Sequence, residues 1–161
     1  METKELKITF TSYANIDELP QEEKELLLSA MDATAGSYSP YSGFSVGAAV
    51  RMANGEIISA ANQENAAYPS GMCAERSALF YAHSKYPSVP VTALAVVARH
   101  NGEITPQLTY PCGACRQVLS ETQSRSGNPV KIIVGSANEI LLLDSVESLL
   151  PFAFDNYPSS N

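Results

Sequence analysis

The sequence of 161 residues is poor in the groups that would mark it as a membrane or nucleic-acid-binding protein. No apolar run approaches the roughly 20 residues that a helix needs to cross a bilayer. No block of lysine and arginine is long enough to follow a phosphate backbone, and the net charge is −7. The sequence therefore argues against a membrane protein and against a nucleic acid polymer as partner. A small, uncharged or cationic substrate fits this composition better.

Cysteine and histidine are also scarce, with three and two residues respectively. An odd number of cysteines suits metal ligation better than a disulfide framework. The stretch 1–10 is charged and short of apolar residues, so we expect no signal peptide there. These features predict a cytoplasmic protein whose thiols stay reduced.

The chain is long enough for one domain, and its 45% apolar residues can form a sizeable core. We expect a single domain over residues 1–161, with an N-terminal extension at 1–15 and a loose tail at 155–161. Residues 1–11 add either an edge strand or a contact between copies.

Hydrophobic periodicity predicts alternating helices and strands. Strands are expected at 7–13 (short and marginal), 44–52, 57–61, 93–98, 131–135 and 140–144. Helices are expected from about 20 to 36, 73 to 85 and 112 to 126, with a short one at 146–150. Strand and helix alternate after an initial helix and hairpin, which predicts an α/β fold: a three-layer α/β/α domain with a mixed five-stranded sheet.

All three cysteines fall in two short motifs that begin predicted helices. Cys112 and Cys115 share one helical turn, and Cys73 comes from a separate segment. Three thiolate ligands leave the fourth tetrahedral position of a zinc ion open, as catalytic zinc requires. The partial positive charge of a helix N-terminus stabilises thiolates at these positions.

Two charged residues follow Cys73 directly. Glu75, on the first helical turn, is placed to carry a proton beside the metal, although any glutamate there also complements the helix end. Arg76 is placed to donate hydrogen bonds to the cysteine sulfurs and draw charge from the metal. A surface arginine is the alternative for Arg76. Neither His83 nor His100 has a spacing suited to a fourth ligand.

A C-x-E motif followed by P-C-x-x-C is a specific signature, known for zinc deaminases of nucleobases. The chain closely resembles the small, tetrameric, zinc-dependent cytidine deaminases that act on free nucleosides. The resemblance runs from Tyr38 to Phe154 and includes Ser-Pro-Tyr-Ser-Gly-Phe at 39–44, Asn-Gln-Glu-Asn at 62–65, Cys-Ala-Glu-Arg at 73–76 and Pro-Cys-Gly-Ala-Cys at 111–115.

The resemblance implies several residues that bind the substrate. Phe44 corresponds to an aromatic that packs on the pyrimidine, although a core phenylalanine at a strand start is the commoner case. Asn62 and Glu64 correspond to a pair that holds ribose hydroxyls. Turn chemistry after a strand is the alternative for both.

The resemblance also implies a homotetramer with sites shared between subunits. Tyr68 is similar to a residue that lines a neighbour's site, and Ala74 offers its backbone to the base edge. Phe154 resembles an aromatic that closes the adjacent subunit's pocket, although it could equally anchor the tail on the core.

The activity implied is hydrolytic deamination of cytidine and 2′-deoxycytidine in pyrimidine salvage, with one Zn²⁺ per chain and Glu75 as proton carrier. A deaminase of another aminopyrimidine, such as a blasticidin-like nucleoside antibiotic, would use the same chemistry. A structural zinc module is a third reading. It is disfavoured because such sites usually have four protein ligands.

Overall fold

The structure is a computed structural model, and it describes residues 1–155. The predicted loose tail at 155–161 therefore lies almost wholly outside the described residues. Three α-helices are present: α1 (Gln21–Ala33), α2 (Ala74–Lys85) and α3 (Gly113–Ser126). The strands are β1 (Thr11–Tyr13), β2 (Phe44–Met52), β3 (Ile57–Ala61), β4 (Val91–His100), β5 (Glu103–Ile104), β6 (Lys131–Gly135) and β7 (Ile140–Leu143). The predicted short helix at 146–150 is a 3₁₀ turn, Val146–Ser148.

The strands form one mixed sheet in the order β1-β7-β6-β4-β2-β3, with β5 paired to β4. β4 and β6 run parallel, because α3 connects them, and the other described pairs are antiparallel. The mixed α/β class is confirmed, but the prediction of five strands was wrong. The sheet has seven.

Two of the seven strands are very short. β1 pairs antiparallel with β7 at the edge of the sheet, and of the strand predicted at 7–13 only Thr11–Tyr13 forms. β5 folds back on the central strand β4 through Asn101 and Gly102, which have φ of 52° and 84°. Asn-Gly is a strong signal for a tight hairpin turn, and it predicted the β2–β3 hairpin correctly at Asn54 and Gly55. The same signal at Asn101 and Gly102 also forms a hairpin, which is not among the predicted elements.

Helices cover both faces of the sheet, which confirms the three layers. α1 packs on one face, where its buried residues Leu27 and Ala30 meet alternate residues of the central strands, such as Ala95. α2 and α3 pack on the other face against residues such as Val96. Strand β4 is therefore buried on both sides, as its continuous apolar run predicted.

The start of each helix on the second face carries the cysteine motifs. Cys73 is the N-cap of α2 and Cys112 is the N-cap of α3. α3 ends at Gly127, whose left-handed φ of 68° terminates the helix as predicted. Within residues 1–155, no helix is both long and apolar enough to span a membrane.

Candidate active site

Three cysteine sulfurs converge where α2 and α3 begin. The Sγ atom of Cys112 lies 3.8 Å from that of Cys73 and 3.5 Å from that of Cys115. All three sulfurs lie within 4.8 Å of one another. Zinc–sulfur bonds of about 2.3 Å in a tetrahedron place sulfurs about 3.8 Å apart, so the donor set and its spacing fit a zinc ion.

The protons in this cluster are unevenly distributed. Hydrogen bonds from the Cys115 thiol, Arg76 and the Cys112 thiol lower the pKa of Cys73 to about 5, although burial opposes them. The contact with Cys73, together with burial, raises the pKa of Cys115. One thiolate is therefore shared among neighbouring thiols in the metal-free protein. A cation bound here would displace the remaining protons, as metal binding by cysteine requires.

Arg76 lies against the sulfur cluster rather than in solvent. Its Nη2 is 3.8 Å from the Cys73 Sγ, and this contact is the main cause of its raised pKa. Its Nε is buried and has no hydrogen-bond partner among the described residues. The guanidinium thus places positive charge beside three sulfur ligands.

Glu75 is a buried carboxyl, only 4% exposed, next to the cluster. Burial raises its pKa to about 7, and the negative charge of Cys73 acts in the same direction. A carboxyl that titrates near neutrality can both accept and release a proton at physiological pH. A glutamate that only complements the positive charge at the start of α2 would not need to be buried. The burial of Glu75 therefore favours its interpretation as a proton carrier.

A cavity of about 420 Å³ opens above the sulfurs. Its lining includes Glu75, Cys73 and Cys112, and also Asn62 and Glu64 of the β3–α2 loop. Tyr68, Ala74 and Arg76 also line it. Met72, Thr109 and Tyr110 also line it and are not among the predicted site residues; Tyr110 directly precedes the Pro-Cys motif, which is the one sequence signal for its position.

Comparison with known proteins shows the family. A family model described as the cytidine and deoxycytidylate deaminase zinc-binding region matches residues 20–127. The chain belongs to the cytidine and deoxycytidylate deaminase family. A cytidine deaminase of Halalkalibacterium halodurans is 43% identical over 129 residues, which cover 80% of this chain and 91% of the relative. One from Sporosarcina psychrophila is 40% identical over 133 residues, covering 81% and 90%.

Solved structures of the family share the fold. The cytidine deaminase from Burkholderia pseudomallei superposes with a TM-score of 0.66 at 34% identity, covering 81% of this chain and 97% of that one. The cytidine deaminase from Mycobacterium tuberculosis gives a TM-score of 0.64 at 32% identity, covering 82% and 96%.

The side chain of Asn62, a family-implied sugar ligand, is tied to the segment before β2 and the start of that strand. Its Oδ1 accepts from the Val46 backbone N–H at 2.9 Å and from Ser37 Oγ at 2.6 Å. Its Nδ2 donates to the Phe44 carbonyl at 2.9 Å. An amide has two N–H donors and an oxygen with two lone pairs, so one N–H remains for a ligand.

Glu64 is held in a similar way. Its carboxylate accepts from the backbone N–H of Tyr41 at 2.9 Å, from that of Ser42 at 3.3 Å, and from the Ser42 hydroxyl. The Ser42 hydroxyl is the main reason why the pKa of Glu64 is lowered. The carboxylate is therefore an acceptor only, beside an amide that has one donor left. The side-chain bonds described for both residues run across 16 to 25 residues of sequence rather than within a local turn, and both residues line the cavity.

Phe44 and Phe154 lie outside this cavity. The Phe44 ring lies near the His100 ring, with centroids 6.4 Å apart, and lines a separate surface pocket. Phe154 is 70% exposed, and its carbonyl accepts from Gln117 Nε2 at 2.8 Å. The roles that the resemblance implies for these two aromatics stay predictions.

Proposed function

We propose that this protein is a zinc-dependent cytidine deaminase that converts cytidine and 2′-deoxycytidine to uridine and 2′-deoxyuridine with release of ammonia. The observation that carries the proposal is the buried carboxyl of Glu75, which lines the same cavity as Cys73 and Cys112, two members of a three-cysteine cluster with zinc spacing. Relatives of 40 to 43% identity that bear the name cytidine deaminase support it.

Cys73, Cys112 and Cys115 would hold the zinc ion. The ion, when bound, supplies a Lewis acid that activates water for attack on C4 of the pyrimidine. Arg76 offsets part of the negative charge of the three sulfurs, since its Nη2 lies 3.8 Å from the Cys73 Sγ. Without that offset, three thiolates would make the site electron-rich and weaken the activation.

Glu75 carries the protons of the reaction. It accepts a proton from the attacking water, delivers it to N3 of the base, and moves a second proton to the departing amino group at C4. Burial raises the pKa of Glu75 to about 7, which suits a group that must both accept and release a proton. Neither His83 nor His100 lines the cavity, and Glu64, the other carboxyl in its lining, accepts hydrogen bonds from Tyr41 and Ser42.

The far end of the cavity binds the sugar. Asn62 contributes its remaining N–H as donor and Glu64 an acceptor oxygen, which together suit a sugar hydroxyl. The backbone of Ala74 is available to the base edge. Because the described hydrogen bonds leave Asn62 a donor and Glu64 an acceptor, the pair favours a nucleoside over a free base.

The active form is a homotetramer with sites shared between subunits, in the cytoplasm, serving pyrimidine salvage. Phe152 and Phe154 are 91% and 70% exposed, and Phe80 and Tyr81 on α2 are also exposed. Exposed aromatics of this size favour a contact with other protein surface. The metal ligands are free cysteines, which a reducing compartment preserves. Light scattering after size exclusion measures the assembly directly.

The test is to purify the protein, count zinc per chain, and follow the absorbance of cytidine with and without a chelator. About one zinc per chain is expected, with loss of the cytidine band that the chelator abolishes. If the protein contains zinc but does not turn over cytidine or 2′-deoxycytidine, the proposed substrates are wrong and the proposed zinc site stands. Absence of zinc would overturn the whole arrangement.

A further inference from the structure

Resting on the proposed function, we propose that Ser37 is a positioning residue for sugar recognition: its hydroxyl fixes the amide of Asn62 so that the amide presents a donor to the substrate. Ser37 itself does not line the cavity. It acts through Asn62, whose side chain it contacts across 25 residues of sequence.

The orientation of the Asn62 amide follows from the two backbone groups that it meets. The Val46 N–H is obligatorily a donor, so the atom 2.9 Å from it must be the amide oxygen. The Phe44 carbonyl is obligatorily an acceptor, so the atom 2.9 Å from it must be the nitrogen. Ser37 must therefore donate to Asn62, because an amide oxygen cannot donate.

A hydroxyl has a single proton, so Ser37 can donate fully to only one acceptor at a time. Ser37 Oγ lies 2.6 Å from the Asn62 oxygen and 3.1 Å from Ser39 Oγ, and it is the donor in both contacts. The contact with Asn62 is the shorter one, so the proton points toward the Asn62 oxygen.

The consequence is that both lone pairs of the Asn62 oxygen are occupied within the protein. Without Ser37 the amide would keep only its two bonds to Val46 and Phe44, and its remaining N–H would be aimed less firmly at the substrate. Asn62 is thus left with a donor only, and Glu64 is the acceptor of the pair. The three backbone and side-chain bonds also hold the amide in place before substrate arrives, which lowers the ordering cost of binding.

The experiment compares Ser37→Ala with the wild-type zinc-loaded protein. Ser37→Ala should raise KM for cytidine roughly fivefold, the effect of one net hydrogen bond, and leave kcat nearly unchanged. Ser37→Thr, which keeps the hydroxyl, should restore most of the affinity. Ser29→Ala, which removes a half-buried hydroxyl bonded to Glu25 O on α1, should leave KM unchanged.

A substrate analogue distinguishes a positioning role of Ser37 from a general structural effect of its substitution. The compound 2′,3′-dideoxycytidine lacks the 2′ and 3′ hydroxyls of the sugar and keeps the 5′ hydroxyl, and its inhibition constant against cytidine turnover reports binding without a contact to the 2′ or 3′ position. The inference expects that constant to be the same for wild type and Ser37→Ala. Equal weakening of both compounds, a fall in kcat instead of a rise in KM, or an unchanged KM would overturn it.

The two proposals fail in different ways. A wild-type protein that binds zinc and does not turn over cytidine contradicts the proposed function. A wild-type protein that does turn over cytidine, with a Ser37→Ala variant of the same KM, contradicts only the role of Ser37.

Discussion

Two groups of residues around the cavity are held in place by different means. In the first group, which we call the metal end, Cys73 and Cys112 are the caps of two α-helices, and Cys115 lies one turn into the second. The second group, which we call the sugar end, is Asn62 and Glu64; they lie just after β3 in a loop whose regular structure is limited to isolated bridges at Gln63 and a 3₁₀ turn at Tyr68–Ser70. Hydrogen bonds to the segment 37–46 hold the side chains of these two residues in place.

Because the two groups are held differently, we expect substitutions in them to affect different quantities: the chemical step in one case and substrate affinity in the other. Helix starts hold their first residues rigidly because the backbone bonds of the whole helix support them. The cross-linked loop depends on a few side-chain bonds, each worth about 1 kcal/mol net. Changes at the metal end should therefore act on kcat and on metal content, and changes at the sugar end should act mainly on KM.

The largest effect is expected for Glu75→Gln. The amide keeps the size of the carboxyl and cannot carry the proton, so kcat should fall about 1,000-fold, within the range for a lost general acid–base. Zinc content should be unchanged, because the three thiols are intact. Steady-state kinetics with zinc analysis of the same sample measures both. Turnover at the wild-type rate would rule out Glu75 as the proton carrier.

Cys112→Ala is the matched change that should break the metal site instead. It removes one of three ligands, so zinc should be lost along with activity, and the melting temperature should fall because metal binding stabilises the folded state. Glu75→Gln and Cys112→Ala would then be equally inactive but differ in zinc content. A Cys112→Ala protein with full zinc occupancy would show that Cys112 is not a ligand.

Arg76→Gln should have an intermediate effect at the same end. Its guanidinium is the nearest cation to the Cys73 sulfur, at 3.8 Å, and Gln removes that charge. Changes of groups that support metal ligands typically cost 10- to 100-fold, and we expect a fall of about that size in kcat. Arg76→Lys, which keeps the charge, should lose less. Equal activity of Arg76→Gln and wild type would show that the charge offset is unimportant.

The sequence predicted the metal end more fully than the sugar end for the same physical reason. Local signals place the starts of α2 and α3, so the convergence of Cys73, Cys112 and Cys115 could be expected from spacing. The bond between Ser37 and Asn62 depends on how a loop folds against a strand, and no local pattern encodes it. Phe44 illustrates this limit: β2 begins at Phe44 as predicted, yet its ring lies by His100 and not in the cavity.

The fold shows the same contrast. The bounds of β2, β3 and β6 agree with the periodicity, since each strand is bordered by clear turn residues or charges. β5 is two residues long, too short to carry a period, and β1 keeps only the last three residues of the strand predicted at 7–13. The extent of β1 and the existence of β5 depend on pairing with β7 and β4, which is tertiary information.

Asn62→Ala tests the sugar end directly. The variant loses the donor to the substrate, and KM for cytidine should rise about tenfold, more than for Ser37→Ala, with a smaller change in kcat. It also leaves Val46 N–H and the Phe44 carbonyl without a partner, so thermal unfolding should shift to lower temperature. Asn128→Ala removes an amide beyond the far end of α3 and should change neither value. A loss confined to kcat would contradict the division between the two ends.

The smallest effect concerns the contact that joins the two helices of the metal end. His83 on α2 lies 3.2 Å from Thr122 Oγ1 on α3. Burial, and secondarily the positive charge of Arg125, lower the pKa of His83 below its usual 6.5. The unfolded chain then binds the proton more readily than the folded one. The free energy of unfolding is therefore at its full value above about pH 6.5 and decreases as the pH falls below that value and the unfolded chain takes up the proton.

His83→Gln should therefore flatten the loss of stability between about pH 7.5 and pH 5.5, the range where histidine titrates. Glutamine keeps a polar group near Thr122 and never gains the charge. Urea unfolding at both pH values measures the slope, and His100→Gln, which removes the exposed histidine, is the control. Identical slopes in His83→Gln and wild type would mean that His83 is as easily protonated in the folded protein as in the unfolded chain. The contact between His83 and Thr122 would then make no pH-dependent contribution to the free energy of unfolding, and only the helix starts would be left to explain the rigidity of the metal end.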